Sequence, residues 1–272
     1  MKLIEVKAEK PGLPFPLLLV HGAWHGAWCW EPFMHHLAGL GITSYAFDLP
    51  GHGERLTEGA AGRGIPEYTA VLAEAVAQLA PQNPVLVGHS MGGLIVQKYL
   101  EARNAPAAVL VAPCPAMGGG LDLFLKYGLH HPADGLAVTL GRLSRVRNPK
   151  MCHRLFFYDV SPENLRAAFR RLVPESCRAI RQMVFPGFKV KAAPPKPGTP
   201  VLVVSAGHDY FFPPALLEKW SKPAGFDYLT FPDSGHNLFM EPALPQFADQ
   251  VLAWITDRVE AASEGPPAGE AG

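Results

Sequence analysis

The stretch Pro84 to Leu94, PVLVGHSMGGL, constrains the fold of this chain more than any other. Val85, Leu86 and Val87 form an apolar run of the length of a buried strand, which breaks at Gly88-His89-Ser90-Met91-Gly92. A helical pattern follows at once, with Leu94, Ile95, Tyr99 and Leu100 on nearly one face. Gly-x-Ser-x-Gly between a strand and a helix describes a sharp turn that holds a serine in a strained backbone conformation with its hydroxyl exposed. Glycines two residues to either side leave room where a side chain would strike the neighbouring strand or helix. The amides just after Ser90 fall at a helix N-terminus, where unpaired N–H groups attract negative charge. One turn thus offers a nucleophile and half of an anion site. So short a pattern also arises by chance, so the rest of the chain must supply its partners.

The 272 residues suffice for one large α/β domain, alone or with an insertion. Lys+Arg and Asp+Glu number 24 each, so no chain-wide field favours nucleic acid or an anionic membrane. Cys29, Cys114, Cys152 and Cys177 are scattered, with no C-x-x-C pair, which argues against a zinc site or a disulfide framework. Four free thiols suit a reducing cytoplasm. The N-terminus, MKLIEVKAEK, lacks the apolar core of a signal peptide. No apolar run approaches the ~18 residues of a membrane span. The expectation is a cytoplasmic protein acting on a small molecule, with no nucleic acid, membrane span or metal. The sequence carries no sign of oligomeric state.

Along the chain, strand and helix patterns alternate. Pro16 to Val20 is a continuous apolar strand ending in the Gly-rich HGAWHG; Ile42 to Phe47 leads into DLPGHG; Ala107 to Val111 follows the elbow helix. This rhythm predicts a mostly parallel sheet with helices on both faces. It pauses after Pro113-Cys114-Pro115 and resumes at Val201. Between lies a mainly helical insertion, including a helix start at Ser161-Pro162-Glu163. The expected division is a core of 1–113 with 199–261, a cap of 114–198 over the active edge of the sheet, and a disordered tail of 262–272.

In open α/β sheets the ligand site lies beyond the carboxyl ends of the strands. Ser90, Asp209 and His236 each follow a predicted strand, in the chain order Ser, Asp, His of the α/β hydrolases. With HGAWHGAW, DLPGHG, GHSMGG, GHD and SGH in place, residues 15 to 260 resemble the α/β-hydrolase superfamily. HGAWHGAWCW, FYDVSPENL and SGHNLFMEP look most like the small cap-bearing carboxylesterases related to plant methyl esterases and hydroxynitrile lyases.

The resemblance implies an α/β-hydrolase fold and a serine carboxylesterase working through an acyl-enzyme, with no cofactor. Ser90 is then the nucleophile, His236 the base and Asp209 its orienting acid, preferred over Asp233, which is too near His236 in sequence. The backbone N–H groups of Met91 and Ala23 are the expected oxyanion hole, with Trp24 the alternative second donor. Candidate pocket residues are Trp24, His89, Phe124 and Tyr210. Asp48, His52 and His21 read as loop-shaping. The apolar clusters of the cap suggest an enclosed pocket for short- to medium-chain esters. Four other activities use the same scaffold: hydroxynitrile lyase, C–C hydrolase, perhydrolase and non-catalytic ligand receptor. Gly22 and Asn237 stand where the lyases carry Thr and Lys, which favours the esterase.

Overall fold

The computed structural model describes residues 1–10, 12–115, 120–185, 187–188 and 190–264; for residues 120–122, 124 and 261–264 it describes the backbone alone. The chain runs through β1 (Ile4–Val6), β2 (Leu17–Val20), α1 (Glu31–Gly39), β3 (Ser44–Phe47), α2 (Ile65–Gln78), β4 (Val85–His89), α3 (Met91–Leu100) and β5 (Ala108–Val111). Five helices follow: α4 (Gly120–His130), α5 (Pro132–Thr139), α6 (Pro149–Phe156), α7 (Pro162–Arg171) and α8 (Cys177–Val184). The chain returns through β6 (Val201–Ala206), α9 (Pro214–Ser221), β7 (Asp227–Phe231) and α10 (Leu244–Glu264).

The seven strands form one sheet in the order β1-β3-β2-β4-β5-β6-β7. All pairings are parallel except β1 with β3 at the edge. Every residue of β2, β4, β5 and β6 is buried, as continuous apolar runs require when helices cover both faces. β7 closes the far edge and is partly exposed. The chain after HGAWHG opens as a 3-10 turn, Ala27–Trp30, because Pro32 suits only the first turn of the α-helix that follows. α10 extends to Glu264, into the stretch expected to be tail; residues 265–272 lie outside the described ones.

The insertion between β5 and β6 is helical throughout its regular parts. Ser161 caps α7, its Oγ accepting from Asn164 N at 3.1 Å, with Pro162 in the first turn. Buried polar contacts fasten the insertion to the core. Glu175 accepts from His52 Nε2 and from Tyr68 Oη, both at 2.9 Å, and all three groups are buried. Burial pulls the His52 pKa down, but the Glu175 carboxylate outweighs it and leaves the imidazole raised above its ordinary value. Among the described residues, no helix is long and apolar enough to cross a membrane.

Candidate active site

β4 and α3 meet at Ser90, whose φ of 54° and ψ of −115° lie outside the regions a non-glycine residue normally occupies. Such a conformation costs on the order of 1–3 kcal/mol and must be held by its surroundings. Ser90 N donates to Val111 O and Cys114 N donates to Ser90 O, each at 3.0 Å, which ties the turn to the end of β5. The flanking glycines are required by space. A Cβ on Gly88 would sit 2.5 Å from the Gly92 carbonyl oxygen, and one on Gly92 would run into the carbonyl oxygen of Val20.

Asp209 follows β6 and His236 follows β7, so the three residues gather at one edge of the sheet. Nδ1–H of His236 donates to Asp209 Oδ2 at 2.8 Å, and both side chains are buried. Oδ1 of the same carboxylate accepts from Phe211 N at 2.7 Å and Phe212 N at 3.1 Å. These two amides fix the carboxylate, which in turn fixes the imidazole. The basic nitrogen of His236 is therefore Nε2, which has no protein partner among the described residues. Its ring packs against Phe211 and Phe212, which line the same cavity as Ser90. Asp233 is exposed.

The Gly-rich loop after β2 lies beside Ser90. Ala23 and Trp24 both line the cavity, and Trp24 adopts a φ of 64°. The insertion holds it there: Val173 N donates to Trp24 O at 2.9 Å, and Trp24 Nε1 donates to Ser144 Oγ at 3.2 Å. His25 holds the other side of the loop. Its Nδ1–H donates to Ala23 O at 2.8 Å, and its Nε2 accepts from Asn237 Nδ2 at 3.0 Å. Burial drives the His25 pKa down to about 3, so the ring is neutral and its tautomer fixed. His21 supports the same loop, donating from Nδ1 to Gly22 O and accepting at Nε2 from Leu49 N. Asp48 accepts from Ala27 N at 2.7 Å and Glu54 N at 2.9 Å, shaping the loop after β3.

The cavity above Ser90, with its mouth, holds about 560 Å³ of atom-free space. Leu123 and Tyr127 of α4, Gly135 and Val138 of α5, and Ile180, Met183 and Val184 of α8 form its roof and walls. The Tyr127 hydroxyl is spent on Asp134 at 2.7 Å, which leaves an almost wholly apolar chamber. Of the candidate pocket residues, Trp24 is in the wall and the Phe124 side chain lies outside the described residues. The other two are corrected. His89 is fully buried behind His236 and donates from Nε2 to His236 O, a consequence of its inward position at the end of β4. Tyr210 turns from the cavity, its hydroxyl in a 2.8 Å hydrogen bond with His130 Nδ1, while the next two residues take the wall. His208 stacks face to face on Tyr158.

Sequence reasoning passed over Phe211 and Phe212 as wall residues, although two aromatics directly after the acid were a usable signal. It also passed over Glu241. That buried carboxylate accepts from Gly235 N at 2.8 Å and Tyr158 N at 2.6 Å, clamping the histidine loop to the insertion. Burial raises its pKa against the opposing pull of these amides.

Known proteins resemble this chain in sequence and in fold. The chain is 36% identical over 165 residues to the protein called probable esterase PIR7A of Oryza sativa subsp. indica; the match spans 56% of this chain and 63% of that one. It is 28% identical over 245 residues to methylesterase 18 of Arabidopsis thaliana, spanning 82% of this chain and 90% of that one. Among solved structures, a methylesterase from Arabidopsis superposes with a TM-score of 0.67 at 21% identity, covering 88% of this chain and 98% of that one, which bears on the fold alone. Residues 17–250 match the family described as the Alpha/beta hydrolase family, to which this chain belongs.

Proposed function

We propose that this chain is a carboxylic-ester hydrolase in which Ser90, His236 and Asp209 act as a triad on short- to medium-chain esters. The observation that carries the reading is the 2.8 Å bond from His236 Nδ1 to a doubly anchored Asp209, beside a strained serine under an apolar chamber. The Ser90 hydroxyl oxygen adds to the ester carbonyl carbon while Nε2 of His236 takes its proton. The N–H of Met91 and that of Ala23 receive the resulting oxyanion; each such donor is worth about 10²–10³ in rate. The carbon–oxygen bond to the leaving alcohol then breaks, and His236 returns the proton to it. Water repeats the sequence on the acyl-enzyme, releasing the acid and restoring Ser90.

The methylesterase names of relatives suit a small alcohol as leaving group, with the acyl part in the chamber. The lyase alternative fits less well. A Cβ on Gly22, where lyases carry threonine, would stand 2.8 Å from His89 Nδ1 and 3.0 Å from Ser90 Cβ. The decisive experiment treats the purified protein with a fluorophosphonate and follows p-nitrophenyl acetate and butyrate hydrolysis. Labelling at Ser90 with parallel loss of turnover is expected. Labelling elsewhere, or no turnover of any ester, overturns the reading.

A further inference from the structure

The neutrality of the chain conceals a segregation of charge. Residues 114–198 hold 14 Lys+Arg and 5 Asp+Glu, net +9, while the remainder holds 10 and 19, net −9. The inner faces of α4 and α5 line the Ser90 cavity through Leu123, Tyr127 and Val138. The outer faces present leucines to water at helical spacing, Leu125 and Leu129 on α4, then Leu136 and Leu140, the last two 59% and 61% exposed. Leu136 and Leu140 wall an open groove with about 1060 Å³ of atom-free space, its solvent mouth included, that also carries Arg142, Arg145 and Arg147. The Arg142 and Arg145 guanidinium groups have no ion-pair or hydrogen-bond partner among the described residues, and Arg147 donates to Ala133 O at 3.4 Å and lies 4.0 Å from Asp134.

We propose that this outer face of α4 and α5, with the arginine segment that follows, docks on an anionic lipid surface. A soluble anion would satisfy the arginines and leave the leucines in water, whereas a bilayer interface accepts both. Cationic groups meet the headgroup charge and the apolar side chains enter the acyl boundary. A second copy of the chain would offer acidic surface but little apolar surface. Outside the insertion, the exposed large apolar residues among the described ones are the separate Met1, Leu40 and Leu56. The net charge of the insertion would orient the molecule with this face toward the lipid. The proposal is independent of the esterase reading, because neither the arginines nor the exposed leucines enter the chemistry.

The test is sedimentation of the full chain with phosphatidylcholine vesicles, alone or containing about 30% phosphatidylserine, the anionic lipid of such surfaces. Binding is expected only to the anionic vesicles and should fall steeply with salt. Each basic residue at such a surface contributes roughly five-fold, so the combined Arg142→Gln, Arg145→Gln and Arg147→Gln variant should bind about 100-fold more weakly. The Leu136→Ser, Leu140→Ser variant should weaken binding with its charge intact, and unchanged melting temperatures establish that both variants are folded. Four results overturn the proposal: no vesicle binding, equal binding to neutral vesicles, binding indifferent to both variants, or saturable uptake of inorganic phosphate without vesicle binding. A concentration-dependent rise in mass by light scattering that the arginine variant abolishes would assign the face to a second copy instead.

Discussion

Asn237 donates from Nδ2 to His25 Nε2 at 3.0 Å, joining two loops that are far apart in the chain. His25 in turn holds the Ala23 carbonyl, so the residue after the proposed base is linked through a neutral imidazole to the proposed oxyanion donor. Asn237→Leu removes the link and leaves a buried acceptor unpaired, at a cost of about 1–3 kcal/mol in stability. Because misplaced donors weaken transition-state binding more than substrate binding, kcat should fall about ten-fold or more with KM nearly constant. A lowered melting temperature with unchanged kcat would make the link purely structural.

Asp209→Asn should reduce kcat by about 10⁴, through loss of the tautomer and orientation of His236. Asp233→Asn changes an exposed side chain that makes no hydrogen bond to His236 among the described residues and should leave kcat within about two-fold. Steady-state kinetics of the two variants on one ester decide the assignment; reversed effects would refute it.

Stability should decline on the acid side. Burial pushes His21, His25 and His89 all below their ordinary values, so the folded chain refuses protons that the unfolded chain accepts below about pH 6.5. His25 alone, down at about 3, withdraws about 2 kcal/mol of stability by roughly pH 5. Glu241, raised by burial, works the other way and softens this limb. His52, raised, contributes stability that is full below its unfolded value and lost as pH rises through its folded one. Calorimetry across pH should show the melting temperature falling from about pH 7 to pH 5, with the fall reduced in His25→Gln. A flat profile would contradict three histidines buried in neutral form.

The elbow, the strand-end positions of Ser90, Asp209 and His236 and the helical nature of the insertion were legible because each rests on local pattern. Ser90 needs its glycines within two residues, and parallel strands buried on both faces show as plain apolar runs. Asp209 could be preferred over Asp233 because sheet topology, not proximity in sequence, brings carboxylate and imidazole together. The polar contacts between core and insertion were not legible. Glu175 and His52 lie 123 residues apart, and nothing in either neighbourhood marks one as the partner of the other. Tyr210 failed as a wall residue for a related reason. Which of three consecutive aromatics enters the cavity depends on the backbone turn that Asp209 Oδ1 imposes on Phe211 and Phe212.

Glu175→Leu tests how far that buried contact secures the insertion. It strips an acceptor from His52, Tyr68 and the Ser176 amide, and breaking a buried pair from one side costs about 3–5 kcal/mol. The control is Glu67→Gln, which breaks the exposed ion pair with Arg178 and should cost under about 1 kcal/mol. Urea unfolding of both variants, with limited proteolysis of the insertion, measures the difference. Equal effects would mean that Glu175 is no more than another surface contact.

The chamber should set an upper limit on acyl length. Its walls are apolar and its polar tyrosine is occupied, so each methylene that fits contributes up to ~0.8 kcal/mol and preference climbs until the space is full. Val138 of α5 and Met183 of α8 both line it and are nearly fully buried. The expected profile of kcat/KM across p-nitrophenyl esters is a rise from acetate to a short- or medium-chain optimum, then a fall. Met183→Ala enlarges the chamber and should move that optimum to longer chains, while Met183→Phe should move it to shorter ones. Emulsified long-chain triglycerides should be poor substrates, because a chamber of limited length does not accept a long acyl chain. The outer leucines of α4 and α5 do not alter this expectation, since they face away from Ser90. An optimum at palmitate, unmoved by either Met183 substitution, would show that the acyl chain leaves the chamber by another route.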